Sequence, residues 1–290
     1  MQKNLHLLII DPQNDFCDVP ANYLPLDPIT NRFTQPALPV PGSHHDMLKI
    51  AGIIKSGMDY ITNITITMDL HHRNDISHPV FWVKEDGSMV EPFTQISSAD
   101  IQSKKYFTKN PKNLKRALNY VEMLEANERY LLIIWPIHCE IGSWGQNIHL
   151  DVKNAYNLWE EKTGNNINII NKGMNPWTEH YSAVQAEIPD LNDDDTKTNK
   201  KFINSLKKAD KVYITGEAAS HCVKATTEHI VENFEPEHLS KLVIVTDCMS
   251  PITGFEKQYQ QFLNTMQEKG VQISKSSDVI TEILKNTKNL

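Results

Sequence analysis

The chain reads as an α/β protein, a three-layer sandwich in which a mostly parallel, doubly wound sheet carries helices on both faces. Three observations predict this. Short, nearly continuous apolar runs alternate with longer amphipathic stretches, the pattern of strands buried on both faces and joined by crossover helices. Over 290 residues, 40% are hydrophobic and 22% charged, a balance that suits a globular chain able to bury a large core. Several apolar runs also end in acidic, basic or small residues, and this architecture places its sites at the carboxyl ends of its strands.

The strands are expected at "LHLLIID" (5–11), "NITITMD" (63–69), "YLLIIW" (130–135), "NINIIN" (166–171), "KVYITG" (211–216) and "KLVIVTD" (241–247), with "VQIS" (271–274) as a weak edge strand. Between them, apolar residues at helical spacing predict helices near 44–57, 111–126, 145–161, 197–208, 221–234, 254–268 and 277–286. The stretch from Pro20 to Pro41 is rich in proline and has neither periodicity, so it is expected to be a long ordered loop or lid. "IPDLNDDDTKTNKK" (188–201) reads as a solvated, charged loop leading into a helix. With no internal repeat, low-complexity tract or clear linker, a single domain over 1–290 is the simpler organisation.

A formal charge of −7 argues against a nucleic-acid partner, which calls for a basic face, and favours a small molecule. The N-terminal "MQKNLHLLIIDPQNDF" has one basic residue and a short apolar run, neither a signal peptide nor a membrane span. No membrane partner and a cytoplasmic location are therefore expected. Cys17, Cys139, Cys222 and Cys248 form no CxxC pair, which fits reduced thiols better than disulfides or a zinc ribbon. The GxSxG, HExxH, GxGxxG and P-loop signatures do not occur.

The strand ends carry the candidate chemistry. Asp11 leaves a buried strand, where burial raises a carboxyl pKa toward the range useful for proton transfer; capping of the next turn is its ordinary alternative. Asp69 ends another strand, His71 follows two residues later, and His138 comes after a third. An acid and imidazoles so placed suit Zn²⁺ or Fe²⁺, although surface histidines also cluster. Lys172 is either a solvated strand tip or the charge that keeps a nearby thiolate formed. Cys222 opens a helix after "VYITGEAAS", with Ser220 as candidate N-cap. Free N–H groups at such an end lower a thiol pKa and bind a developing oxyanion, whereas a buried, inert cysteine is the bland reading.

Taken in order, Asp11 in "DPQNDF", "MDLHHRNDISH", "WPIHC", "NKG" and "TGEAASHCVKAT" resemble the motifs of the isochorismatase-like cysteine hydrolases, nicotinamidase/pyrazinamidase branch, over roughly residues 5–250. The resemblance implies a catalytic triad of Asp11, Lys172 and Cys222 and metal ligands Asp69, His71 and His138. It implies a non-proline cis peptide between Glu217 and Ala218, and an oxyanion hole from the Ala218 and Cys222 amides. Phe16 and Trp135 match positions that flank the substrate ring, and "HYSAV" is similar to a family segment that puts Tyr181 at the pocket. The implied activity is hydrolysis of nicotinamide or a related heteroaromatic amide to the acid and ammonia through a Cys222 thioester, in a setting of NAD salvage. The implied cofactor is a divalent metal, Zn²⁺ first, with Fe²⁺ or Mn²⁺ as alternatives. The isochorismatase branch does without the Asp69, His71, His138 set.

Three features depart from the family pattern. Asp75 stands where its second histidine falls, Leu70 replaces a tryptophan, and Ala219 and His221 replace threonine and tyrosine. The extra length lies between the motifs, in insertions near 20–41, 84–129 and 188–200. Another amide or carbamoyl hydrolase of the superfamily, a zinc-water metallohydrolase with a structural Cys222, and a non-catalytic binding protein are the alternatives. Sheet edges and family habit are compatible with a homo-oligomer.

Overall fold

Alternation inside one short strand sets up the layers. In the computed structural model, which describes residues 2–286, Leu5, Leu7 and Ile9 of strand β1 (Leu5–Ile10) point to one face of a sheet, and Leu8 and Ile10 to the other. Successive side chains on a strand alternate in this way, and here both faces are covered. The remaining strands of the sheet are β2 (Ile61–Asp69), β3 (Asn168–Lys172), β4 (Lys211–Gly216), β5 (Leu242–Val245) and β6 (Gln272–Ser274). All pair in parallel, in the order β6-β5-β4-β1-β2-β3.

The helices are α1 (Ser43–Gly57), α2 (Ser98–Gln102), α3 (Leu114–Ala126), α4 (Leu150–Thr163), α5 (Lys200–Lys207), α6 (Cys222–Glu232), α7 (Glu256–Glu268) and α8 (Ser276–Leu284). Met47, Ile50 and Ile54 of α1, Val152 and Trp159 of α4, and Val279 and Ile283 of α8 pack on the Leu5, Leu7, Ile9 side. Phe202 and Leu206 of α5, Val223 and Ile230 of α6, and Phe262 and Met266 of α7 pack on the Leu8, Ile10 side. The sandwich expected from the sequence is therefore present. From β1 the chain winds outward to β2 and β3, then returns to add β4, β5 and β6 on the other flank. The reversal falls between β1 and β4, and a crevice outside their carboxyl ends is where such sheets bind ligands.

Two expectations are corrected. Residues 130–135 do not form a strand of the main sheet: only Leu132–Ile133 is extended, in a two-residue antiparallel pair with Gln95–Ile96. The run is apolar because it is wedged between cores. Leu132 and Ile134 enter a third cluster with Phe81, Trp82, Tyr120 and Val121, whereas Ile133 and Trp135 face the α6 side. The helix expected from 145 begins at Leu150. Gly145 packs so close to Asp15 that an added Cβ would lie 2.0 Å from its carboxylate, and His149 accepts a hydrogen bond from Asp151 N–H as the N-cap. The 20–41 segment holds a 3-10 turn at Ala21–Tyr23 and a small hairpin, Leu26–Asp27 with Arg32–Phe33.

Candidate active site

Three strand ends deliver the central charges. Asp11 follows β1, Asp69 ends β2 and Lys172 ends β3, and all three side chains are buried, Lys172 at the inner end of an otherwise largely exposed edge strand. Lys172 Nζ lies 2.9 Å from Asp11 Oδ2 and 3.0 Å from Asp69 Oδ1, and donates to Cys222 Sγ at 3.6 Å. One ammonium thus touches two carboxylates and the thiol. Thr67, also on β2, donates its hydroxyl to Asp11 Oδ1 and receives the Asp11 N–H at 3.1 Å, which fixes the carboxylate in place. Gln13 clamps the Asp69 backbone in both directions, donating to its carbonyl and accepting from its N–H, each at 2.7 Å.

The glycine of "NKG" has a steric reason. Gly173 adopts φ +82°, and a Cβ there would lie 2.7 Å from Asp69 Oδ1 and 3.0 Å from the Leu70 carbonyl. A side chain would both strain the backbone and displace the aspartate. Gly216 is tighter still: with φ +113°, an added Cβ would meet the Ile10 carbonyl at 1.9 Å. This close approach of β4 to β1 lets the chain turn through Glu217 and Ala218, whose peptide bond is cis, into α6.

Cys222 is the first residue of α6, and the N-cap is His221 rather than Ser220, a further correction. Ser220 Oγ instead pairs with His221 Nδ1 and accepts from Ile252 N–H. Among the described residues, neither Ala218 N–H nor Cys222 N–H donates to a protein acceptor. These are the donors a helix start leaves free for an anionic oxygen.

Electrostatics set the resting protonation. Burial, reinforced by Asp69, pushes the Asp11 carboxyl above its ordinary value despite the opposing pull of Lys172. For Lys172 burial works downward, but Asp11 and Asp69 outweigh it and hold the ammonium well above the usual lysine range. Burial pushes the Cys222 thiol well above its ordinary value, Lys172 opposes, and Asp11 and Asp69 add to the rise. Lys172 is thus the contact that favours the Cys222 thiolate, against burial and the two carboxylates. The balance favours the thiol form of Cys222, with Asp11 the nearby carboxylate that can take its proton. Cys17, Cys139 and Cys248 are buried, and burial raises each of their pKa values too.

Asp69 also faces the histidines. Its Oδ2 lies 3.1 Å from His71 Nε2 and 3.5 Å from His138 Nε2. Asp69, His71 and His138 each bring one ligand atom within 4.8 Å of the others, and all three are buried. One carboxylate with two imidazoles is a donor set for Zn²⁺, Fe²⁺ or Mn²⁺. The other ring nitrogens are tied down, as in ligating histidines held by an outer partner: His71 Nδ1 faces Asp75 Oδ2 at 3.2 Å and His138 Nδ1 faces the Pro136 carbonyl at 2.8 Å. The residues present therefore fit a divalent ion, and Asp75, where the family pattern has histidine, orients one of them.

The expected ring-flanking residues collect beside this centre. Phe16 lies 5.4 Å, centroid to centroid, from His138. Trp135 donates its indole N–H to Tyr181 at 2.9 Å, and both rings pack against His221, at 5.2 and 5.4 Å. Two residues escaped the sequence reading. Phe93, in the 84–129 segment, stands edge-on to Trp135 at 6.0 Å, and nothing local marks it. His78 is fully buried beside His71 and His138; its signal was a histidine flanked by Ile76, Ser77 and Pro79 inside a stretch that looked like a polar surface cluster.

Comparison with known proteins agrees with this architecture. No family model matches the chain. Nicotinamidase of Saccharomyces cerevisiae is 31% identical over 94 residues, a stretch that spans 32% of this chain and 38% of that protein. Solved structures align over nearly the whole length. The yeast nicotinamidase bound to the inhibitor nicotinaldehyde has a TM-score of 0.61 at 20% identity, covering 93% of this chain and 99% of its own. A nicotinamidase/pyrazinamidase of Acinetobacter has a TM-score of 0.58 at 22% identity over 96% and 98%. The pyrazinamidase of Pyrococcus horikoshii, in complex with zinc, has a TM-score of 0.53 at 19% identity over 94% and 99%. The fold is that of the α/β isochorismatase-like hydrolases. Within that class, the similar structures named here are nicotinamidases and pyrazinamidases.

Proposed function

We propose that the chain is a metal-assisted cysteine amidohydrolase that cleaves nicotinamide or a related heteroaromatic primary amide to the acid and ammonia. The observation that carries this reading is Lys172 Nζ at 2.9 Å from Asp11, 3.0 Å from Asp69 and 3.6 Å from Cys222. It supports reading Cys222 as nucleophile, Asp11 as base and Lys172 as charge-balancing ammonium in one buried space. The similar structures support the substrate class.

Asp11 takes the Cys222 proton as Sγ attacks the amide carbonyl carbon, and Lys172 balances the negative charge that moves between them. The carbonyl oxygen, now anionic, accepts from the Ala218 and Cys222 N–H groups. Asp11 then gives its proton to the amide nitrogen, the C–N bond breaks and ammonia leaves a thioester on Cys222. Asp11 next takes a proton from water as that water attacks the thioester carbonyl. The C–S bond breaks, the acid departs, and the proton returns to Sγ. Phe16, Trp135 and Tyr181 hold the ring in register with Sγ.

Asp69, His71 and His138 would hold a divalent ion, which when bound supplies a Lewis-acid grip on a ring nitrogen of the substrate. The test is ammonia release from nicotinamide and a panel of primary amides by the parent protein, Asp11→Asn and Cys222→Ala. Release by the parent and loss in both variants is expected. Full activity in Cys222→Ala would instead favour water attack at the metal centre, and no turnover of any amide would sink the reading.

A further inference from the structure

We propose that His78 is a fourth protein ligand of the metal centre, binding the ion through Nε2 alongside Asp69, His71 and His138. The inference rests on the metal reading of those three residues and extends it to a position that no motif pointed to.

Three observations converge on His78. Its side chain is completely buried, and Nε2 has no hydrogen-bond partner. An imidazole nitrogen left unpaired in the interior costs free energy unless something outside the protein chain satisfies it. The same ring's Nδ1 faces the Arg73 carbonyl at 3.4 Å, which leaves Nε2 as the unprotonated nitrogen when Nδ1 carries the hydrogen. His138 is held in the same way by the Pro136 carbonyl, and His71 by Asp75. All three histidines thus have Nδ1 against an oxygen, the arrangement that orients ligating imidazoles; Nε2 of His71 and His138 faces Asp69, and Nε2 of His78 is unpaired.

The spacing of the rings fits as well. Imidazoles bound through Nε2 to one tetrahedral ion at about 2.0–2.1 Å place their ring centroids about 5 Å apart. The His71–His138, His71–His78 and His78–His138 separations are 4.7, 5.1 and 5.4 Å. Asp69, His71 and His138 already bring their ligand atoms within 4.8 Å of one another, whereas His78 stands outside that set, so its ring has to move inward for Nε2 to join them. The departures within "HHRNDISH" then have a common sense: Asp75 orients His71, while His78 adds a donor three residues on.

The test reads metal binding, not turnover. Full-length protein freed of metal with a chelator is titrated with Co²⁺, followed by visible absorption, and with Zn²⁺ by competition. His78→Ala is expected to bind both ions 10–100-fold more weakly and to shift the cobalt band, because one nitrogen donor is lost. His72→Ala, at an exposed neighbouring histidine, should do neither. Metal-free melting temperatures are measured for every variant, and His78→Gln replaces His78→Ala if the latter does not fold. An unchanged affinity and band in a folded His78 variant would overturn the proposal. So would weaker binding with an unchanged band, which would make His78 a neighbour that positions the site. If His71→Ala also leaves the affinity unchanged, the metal centre itself is refuted, and with it the metal half of the proposed function.

Discussion

Replacing Lys172 by methionine keeps most of its buried stem and removes only the ammonium. The structure allows the cost to be worked out. Lys172 and Asp11 are essentially unexposed, Asp69 nearly so, and the ammonium is the shared counter-ion of both carboxylates. Removing one partner of a buried pair costs about 3–5 kcal/mol, because the remaining charge is stranded. For 290 residues, an unfolding entropy of roughly 2.1 cal/mol/K per residue gives about 0.6 kcal/mol/K. The melting temperature should therefore fall by about 5–8 °C.

The loss should also depend on pH. In the parent, Asp69 is held well below its ordinary value, with burial opposing and His71 and Lys172 prevailing. Its stabilising contribution is complete above the unfolded value of about 3.9 and fades as pH falls below it. Without the ammonium, the folded-state values of Asp11 and Asp69 rise. A carboxylate raised in the folded state costs stability progressively as pH climbs above its unfolded value. The variant should thus be penalised more at pH 8 than at pH 5. Thermal melts of both proteins at the two pH values, with chelator present so that no ion replaces the ammonium, make the assay. A shift below about 2 °C at pH 8, or an equal shift at both pH values, would refute the role given to Lys172.

Other consequences are direct. Gly173→Ala forces a left-handed backbone on alanine and pushes on Asp69, so a loss of about 1–2 kcal/mol in chemical denaturation is expected, together with weaker Zn²⁺ binding. Asp11 is raised above its ordinary value, so the acid limb of kcat/KM should lie above about 3.9 and vanish with the activity in Asp11→Asn. Chelation should lower the melting temperature, because an ion that binds only the folded state stabilises it, and re-addition of Zn²⁺, Fe²⁺ or Mn²⁺ should restore it. Phe16→Ala should raise KM more than it lowers kcat if the ring only orients the substrate.

The charged parts of this site that were legible share one property: they stand at the carboxyl end of a β-rich strand. Asp11, Asp69 and Lys172 each stand at such an end, and parallel pairing in adjacent register brings the three ends together. Cys222 was legible because strand, glycine and small residues precede a helix. The run at 130–135 misled for a physical reason, since apolar composition reports burial and not pairing, and this segment is buried between two cores without entering the sheet. The third core could not be read in advance because its members, from Ile76 to Ile188, are scattered over segments without a shared period. His78 was hidden because it follows the polar stretch His71–Asp75 in sequence, while its neighbours in space are the rings of His71 and His138.

Trapping the covalent intermediate tests the nucleophile most directly. Protein mixed with nicotinamide is quenched in acid within one turnover, and its intact mass and peptides are compared with those of Cys222→Ala. The account predicts a pyridine-carbonyl adduct on the peptide that contains Cys222, absent from the variant and formed only when the parent releases ammonia. Ammonia release by Cys222→Ala, or an adduct that maps to Cys17, Cys139 or Cys248, would contradict it.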